Sequence, residues 1–177
     1  MTVSSAAQLA EPTLAFIGLG ANLGPALATV RLAREWIAAL PTTQVVKTSR
    51  IYRTPAWGRT DQADFINGAI AVTTQLSPLS LLQALLALEY NAGRRRVGQT
   101  RWGPRVLDLD LLLYGDQSID HPRLTVPHPY LHARAFVLAP LRDIDADLLI
   151  PGHGRVWTLL HRLGDCGIVP VCEIMAS

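Results

Sequence analysis

The chain has little cysteine: two residues in 177, Cys166 and Cys172, both close to its C-terminal end. Two thiols without any other sign of secretion exclude a disulfide-stapled scaffold and are expected to stay reduced in a cytoplasm. Charge is also sparse, at 17% of residues against 49% apolar, which excludes a disordered, charge-extended chain. The formal net charge of +2 is too small to argue by itself for a nucleic-acid partner. No uninterrupted apolar run approaches the roughly 18 residues that a membrane span needs, so a soluble protein is expected. Residues 1–12 have neither the basic start nor the apolar stretch of a secretion signal and read as a frayed, flexible extension. The remainder, residues 13–177, is expected to form one domain with a sizeable core.

What the chain does contain is a pattern of strands and helices. Residues 13–19 form a short apolar run that ends in Gly18-Leu-Gly-Ala-Asn-Leu-Gly24, a strand and a turn. Pro25 suits the first turn of a helix, and Leu27, Val30, Ala33, Trp36, Ile37 and Leu40 follow at helical spacing before Pro41 stops the element. Residues 43–54 are rich in β-branched side chains and read as one strand; a polar loop follows, then a second strand over 65–74. Ser77-Pro78 is a cap followed by a first-turn proline, opening a leucine-rich helix that Gly93 ends. Two more helices are expected over 133–143 and 156–163. The order β-α-β-β-α-β with helical additions predicts an α+β sandwich of the ferredoxin-like kind, carrying additional C-terminal helices.

The most informative stretch is Arg101-Trp-Gly-Pro-Arg-Val-Leu-Asp-Leu-Asp110. On a strand, Asp108 and Asp110 point to the same face, while Leu107, Leu109, Leu111 and Leu113 point to the other, into a core. Two like charges roughly 6–7 Å apart repel by about 2–3 kcal/mol at an effective dielectric near 20. A cation would resolve that repulsion, and magnesium, held by carboxylates together with substrate phosphates, has the matching chemistry. Arg94, Arg95, Arg96, Arg101 and Arg105 lie within a dozen residues of one another with no carboxylate among them, which suggests an anionic ligand.

Four motifs in order resemble one family, over residues 14–163. They are Gly18-Leu-Gly-Ala-Asn-Leu-Gly24; Tyr52-Arg-Thr-Pro55 followed by Asp61-Gln-Ala-Asp-Phe-Ile-Asn67; Arg101-Trp-Gly-Pro-Arg-Val-Leu-Asp-Leu-Asp110; and Leu124-Thr-Val-Pro-His128 with Arg134-Ala-Phe136. Together they resemble the 6-hydroxymethyl-7,8-dihydropterin pyrophosphokinases of folate biosynthesis. The resemblance implies the ferredoxin-like fold and transfer of the β,γ-diphosphate of ATP to the hydroxymethyl oxygen of the pterin, with release of AMP.

It also implies roles. Asp108 and Asp110 would hold two magnesium ions bridging ATP phosphates, an arrangement able to clamp the attacking and leaving oxygens of an in-line displacement. Arg94, Arg96 and Arg105 resemble phosphate-contacting arginines, since a guanidinium can grip phosphate with two parallel hydrogen bonds. Trp102 resembles a residue that folds over the site and excludes water, with Gly93, Gly98 and Gly103 giving its loop the freedom of a lid. Gln62, Glu89, Leu111, His128 and Arg134 would be further nucleotide contacts. Phe65 and Phe136 would sandwich the flat pterin, Asn67 would read its edge as donor and acceptor, and Thr54, Pro55 and Trp57 would line the pocket with Asp108. The family often carries tyrosine at position 65 and a second proline at position 56, where this chain has Phe65 and Ala56.

Other readings stay open at this level. Glu89 could sit on a solvated helix face. His128 and His132 have zinc-ligand spacing, although Pro129 lies between them and no third ligand is near. A ferredoxin-like RNA-binding module could use the arginines, and a different magnesium-dependent nucleotide transferase could use the same carboxylates. The preferred expectation is a cytoplasmic monomer that takes two small molecules and neither nucleic acid nor membrane.

Overall fold

The computed structural model describes residues 11–58, 60–95, 103–164 and 167–171. In chain order the elements are β1 (Thr13–Ala21), α1 (Ala26–Ala38), β2 (Thr43–Thr48), β3 (Tyr52–Thr54), β4 (Phe65–Thr74), α2 (Pro78–Asn91) and β5 (Asp108–Tyr114). The C-terminal part adds β6 (Ile119–His121), β7 (Leu124–Val126), a 3-10 turn (Leu131–Ala133), α3 (Ala135–Ile144), β8 (Leu149–Ile150), β9 (Gly154–Arg155), α4 (Val156–Leu163) and β10 (Val169–Pro170). Strand β1 lies between β4 and β5 and is antiparallel to both; β2 and β3 share the outer edge of β4, and β10 extends the sheet beyond β3.

The alternation of side chains along β1 divides the interior in two. Ala15, Ile17, Leu19 and Ala21 face α1 and α2, where Val30, Ala33, Ile37, Leu81 and Leu85 complete one core. Phe16 faces the other side, with Ala69, Ala71, Val137, Leu138, Leu141 and Leu159 supplied by β4, α3 and α4. The sheet is thus covered on both faces, a mixed α/β architecture around an antiparallel sheet. Among the described residues no helix is long and apolar enough to cross a membrane.

Two expectations are corrected here. The stretch 43–54 is not one strand: it breaks at Ser49–Ile51, where three residues of this edge oppose only Gly68 and Ala69 of β4. Ser49 covers the irregularity, its Oγ accepting the Ala69 N–H at 2.9 Å while its own N–H donates to Ala69 O at 3.0 Å. Leu113 does not share a face with Leu107, Leu109 and Leu111. The β1–β5 register passes from Ile17↔Leu111 to Phe16↔Leu113, so Leu112 is an inserted bulge residue and the later side chains change sides. Leu112 and Leu113 consequently pack in the second core and Tyr114 in the first.

Candidate active site

The register of three strands lays the floor of a cleft. Gly18 pairs with Ala69 on β4 and Asp110 on β5; Gly20 pairs with Asn67 and Asp108. Glycine at position 20 leaves room for Asn67: a Cβ there would stand 2.9 Å from Asn67 Oδ1 and force that side chain to shift, with Asp108 Cβ 3.9 Å away. Its bareness lets a carboxylate and an amide approach across β1. Asn67 is held from the other side, its Nδ2 donating to Thr54 Oγ1 at 2.7 Å. The cleft is lined by the floor together with Pro55, Trp57, Phe65, Arg105, Arg134 and Phe136. Aromatic rings beside a few convergent polar groups suit a flat, partly polar molecule.

The two aspartates share a face, as period two predicts, but their surroundings differ. Asp108 is gripped by Arg94 on Oδ1 and by Arg105 on Oδ2. Burial pushes this carboxyl up, and the charges of Arg105 and Arg94 more than offset it, leaving Asp108 below the ordinary carboxylate range. Among the described residues no pair of guanidiniums grips Asp110 in this way. Desolvation in the cleft, and then the charge of Asp108, push it up to about 7. Its side chain keeps 37% of its surface open to the cleft. Among the described residues no group of three or more acidic, histidine or cysteine side chains converges on a metal position. Among the described residues the protein therefore offers two hard carboxylates on one face, Asp108 gripped by guanidiniums and Asp110 feeling those of Arg134 and Arg105 only through their fields. This donor set fits magnesium, which takes its remaining ligands from phosphate and water.

Arg94 is anchored from behind. Its Nη1 donates to Glu89 Oε1 at 2.6 Å and to Leu107 O at 3.2 Å. Glu89 is 1% exposed and also accepts the Leu109 N–H at 2.8 Å, tying α2 to the start of β5. Burial lowers the Arg94 pKa, but Asp108 and Glu89 outweigh it and keep the guanidinium charged. Arg95 points away, its guanidinium 4.2 Å from the Tyr90 ring centroid.

The far wall is aromatic. Arg134 immediately precedes α3, with its guanidinium carbon 4.8 Å from the Trp57 ring centroid, 5.1 Å from Tyr130 and 5.7 Å from Phe136. A cation at a helix N-terminus opposes the helix dipole. Burial lowers its pKa, and the fields of Asp110 and Asp108 partly restore it. The Nε atoms of Arg94 and Arg134 are buried with no hydrogen-bond partner among the described residues. Both features suit a region that receives an anion. His128 is placed by the bulge: its N–H donates to Leu112 O at 3.0 Å, and its Nε2 lies 3.9 Å from Asp110 Oδ2. Burial, then the charge of Arg134, lower its pKa to about 4, so it is neutral at pH 7.

Thr54, Pro55, Trp57, Phe65, Asn67, Asp108 and Phe136, expected around the acceptor, line this one cleft, as do Arg105, Asp110 and Arg134 from the phosphate set. Arg94, Glu89 and His128 adjoin it through the contacts described. Glu89 is on no solvated face; it is a buried anchor for Arg94. Leu111 sends its side chain into the first core, away from the cleft, so only its backbone faces that side of the strand. Gln62 is held at the rim, its Oε1 accepting from Asn22 Nδ2 at 3.0 Å. His128 and His132 do not converge, since His132 instead stacks on His153 with ring centroids 3.7 Å apart. Arg96, Arg101, Trp102, Gly98, Cys166 and Cys172 lie outside the described residues, as do residues 1–10. Sequence reasoning assigned no role to Gly20, Asn22 or Tyr130. The Gly-x-Gly spacing on β1 was the available signal for the first.

Comparisons with known proteins bear on the family and the fold. A family model described as 7,8-dihydro-6-hydroxymethylpterin-pyrophosphokinase (HPPK) matches residues 16–146. The chain is 45% identical over 156 residues to a 2-amino-4-hydroxy-6-hydroxymethyldihydropteridine pyrophosphokinase of Methylorubrum extorquens, covering 88% of this chain and 97% of the relative. It is 46% identical over 145 residues to the protein of the same name from Pseudomonas aeruginosa, covering 82% and 88%. Among solved structures, a Plasmodium falciparum HPPK-DHPS chain with pteroate aligns with a TM-score of 0.69 at 14% identity, covering 86% of this chain and 42% of that longer one. That likeness concerns the fold alone. With the family model spanning both the aspartate strand and the aromatic wall, the chain belongs to the 7,8-dihydro-6-hydroxymethylpterin-pyrophosphokinase family.

Proposed function

We propose that the chain transfers the β,γ-diphosphate of ATP to the hydroxymethyl oxygen of 6-hydroxymethyl-7,8-dihydropterin, releasing AMP, as a step of folate biosynthesis. The observation that carries this reading is the juxtaposition, in one cleft, of the Asp108/Asp110 pair with its arginines and the aromatic rings of Trp57, Phe65 and Phe136. There Phe65 and Phe136 would stack on the acceptor, and Asn67, whose Nδ2 donates to Thr54, would read its edge. Arg94, Arg105 and Arg134 would spread the charge of the transferring group, with Arg96 and Trp102, which lie between the first two in sequence, adding to it. Asp108 and Asp110 would hold two magnesium ions, which supply charge neutralisation on the phosphate oxygens. Gln62, His128 and the backbone of Leu111 would add nucleotide contacts, while Glu89 would act through Arg94. No strong general base is required, because transfer of this type depends mainly on positioning and neutralisation.

The same proposal includes a single ferredoxin-like domain from residue 13 onward, a cytoplasmic monomer, and small molecules as its only ligands. Against an RNA-binding module stand the helices on both sheet faces and the two carboxylates on the face that would meet a phosphate backbone. Incubation with ATP, magnesium and the dihydropterin, followed by separation of the products, tests the reaction. AMP and a diphosphorylated pterin are expected; ADP with a monophosphorylated product would overturn it in favour of ordinary kinase chemistry.

A further inference from the structure

Two loops border the cleft from different parts of the chain, and one side chain joins them. Asn22 follows β1 directly and is 8% exposed. Its Nδ2 donates to Gln62 Oε1 and to Ala63 O, both at 3.0 Å. Its Oδ1 accepts the Arg105 N–H at 2.8 Å, and its own backbone N–H donates to Arg105 O at 3.0 Å. Leu23 adds a second N–H to that carbonyl at 3.2 Å. The main chain of Arg105 is thereby fixed at both its donor and its acceptor, and the other arm of the amide fixes the segment leading into Phe65. Only a primary amide of this length provides both functions, since aspartate lacks the donors and glutamine adds a methylene.

We propose that Asn22 is a positioning residue that couples the nucleotide and acceptor half-sites. Arg105 reaches the phosphate side through Asp108, and Phe65 forms the acceptor side, so an order imposed on either loop is passed to the other through one rigid amide. A ligand that orders one loop spares the second ligand part of that cost, which appears as mutual tightening of equal size in both directions. The inference rests on the functional reading above, in which Arg105 serves the nucleotide and Phe65 the acceptor.

The test is calorimetric titration of the intact chain with the dihydropterin, with and without magnesium and α,β-methylene-ATP, which keeps the scissile bridge intact. In the wild type the nucleotide analogue tightens acceptor binding. In Asn22→Ala that tightening ratio falls by on the order of tenfold, while binding of either ligand alone changes much less. Asn22→Asp keeps the oxygen that holds Arg105 and loses both donors, so it shows the same loss and carries the test if the alanine variant does not fold. A ratio equal to that of the wild type in Asn22→Asp, or two ligands weakened equally with the ratio unmoved, overturns the coupling role. A wild type that binds no acceptor under any condition overturns the functional reading itself, a separate result from an unchanged ratio.

Discussion

Replacing Asp110 by asparagine should stabilise the ligand-free protein while destroying its activity. Asp108 and Asp110 face the same side of β5, two residues apart, roughly 6–7 Å along the strand. Their repulsion is about 2–3 kcal/mol at an effective dielectric of 20. Because 37% of the Asp110 side chain is open to solvent, screening reduces this to about 1 kcal/mol. For a chain of this size that corresponds to about 2–4 °C in Tm. The pH dependence has a definite sign. Asp110 is raised from 3.8 to about 7, chiefly by burial and then by Asp108, so its stability contribution is present at low pH and lost as pH rises through 7. The wild type thus carries the full penalty above pH 7 and sheds it as pH falls towards 4. Thermal unfolding of Asp110→Asn should show the gain at pH 8, and the gain should shrink steadily and vanish near pH 4. At saturating magnesium, turnover should fall by at least on the order of 100-fold with pterin affinity much less affected. An unchanged or lower Tm at pH 8, a gain that persists at pH 4, or near-normal turnover would refute the reasoning.

Three further outcomes follow from the geometry. Gly20→Ala places a methyl 2.9 Å from Asn67 Oδ1, and should raise the KM for the pterin by roughly tenfold with a much smaller effect on that for ATP; equal effects on both would contradict the assignment of Asn67. Glu89→Ala leaves Arg94 buried without its anchor and the Leu109 N–H without its acceptor, so chemical denaturation should show a loss of about 3 kcal/mol, and a loss below about 0.5 kcal/mol, ordinary for a surface site, would show that the pair is not a buried anchor. His128, lowered to about 4 by burial and by Arg134, should give imidazole NMR shifts that stay flat between pH 5.5 and pH 8. A midpoint near the ordinary 6.5 would place it in solvent.

What could be read from the sequence was set by range. The shared face of Asp108 and Asp110 follows from strand period alone and needs no partner. The bulge at Leu112 depends on how β5 meets β1, so nothing within residues 107–114 signals that Leu113 changes sides. Glu89 was legible in principle: Leu81, Leu85 and Glu89 recur every four residues and form the buried stripe of α2. A carboxylate on an apolar stripe reads as an error until its guanidinium partner is known. Asn22 could not be read, because its amide partners lie 40 and 83 residues away. Arg134 and Phe136, remote from the other cleft residues, were placed only by the ordered family motifs, and the fold brings them to the same cleft.

The central claim is that the cleft moves two phosphates as one unit, from the nucleotide to a flat alcohol. ATP labelled at its β-phosphorus tests this most directly, in a reaction with magnesium and 6-hydroxymethyl-7,8-dihydropterin. The label should appear quantitatively in the pterin product, with unlabelled AMP formed in equal amount. Label retained in the adenosine-containing product, as ADP, would contradict it.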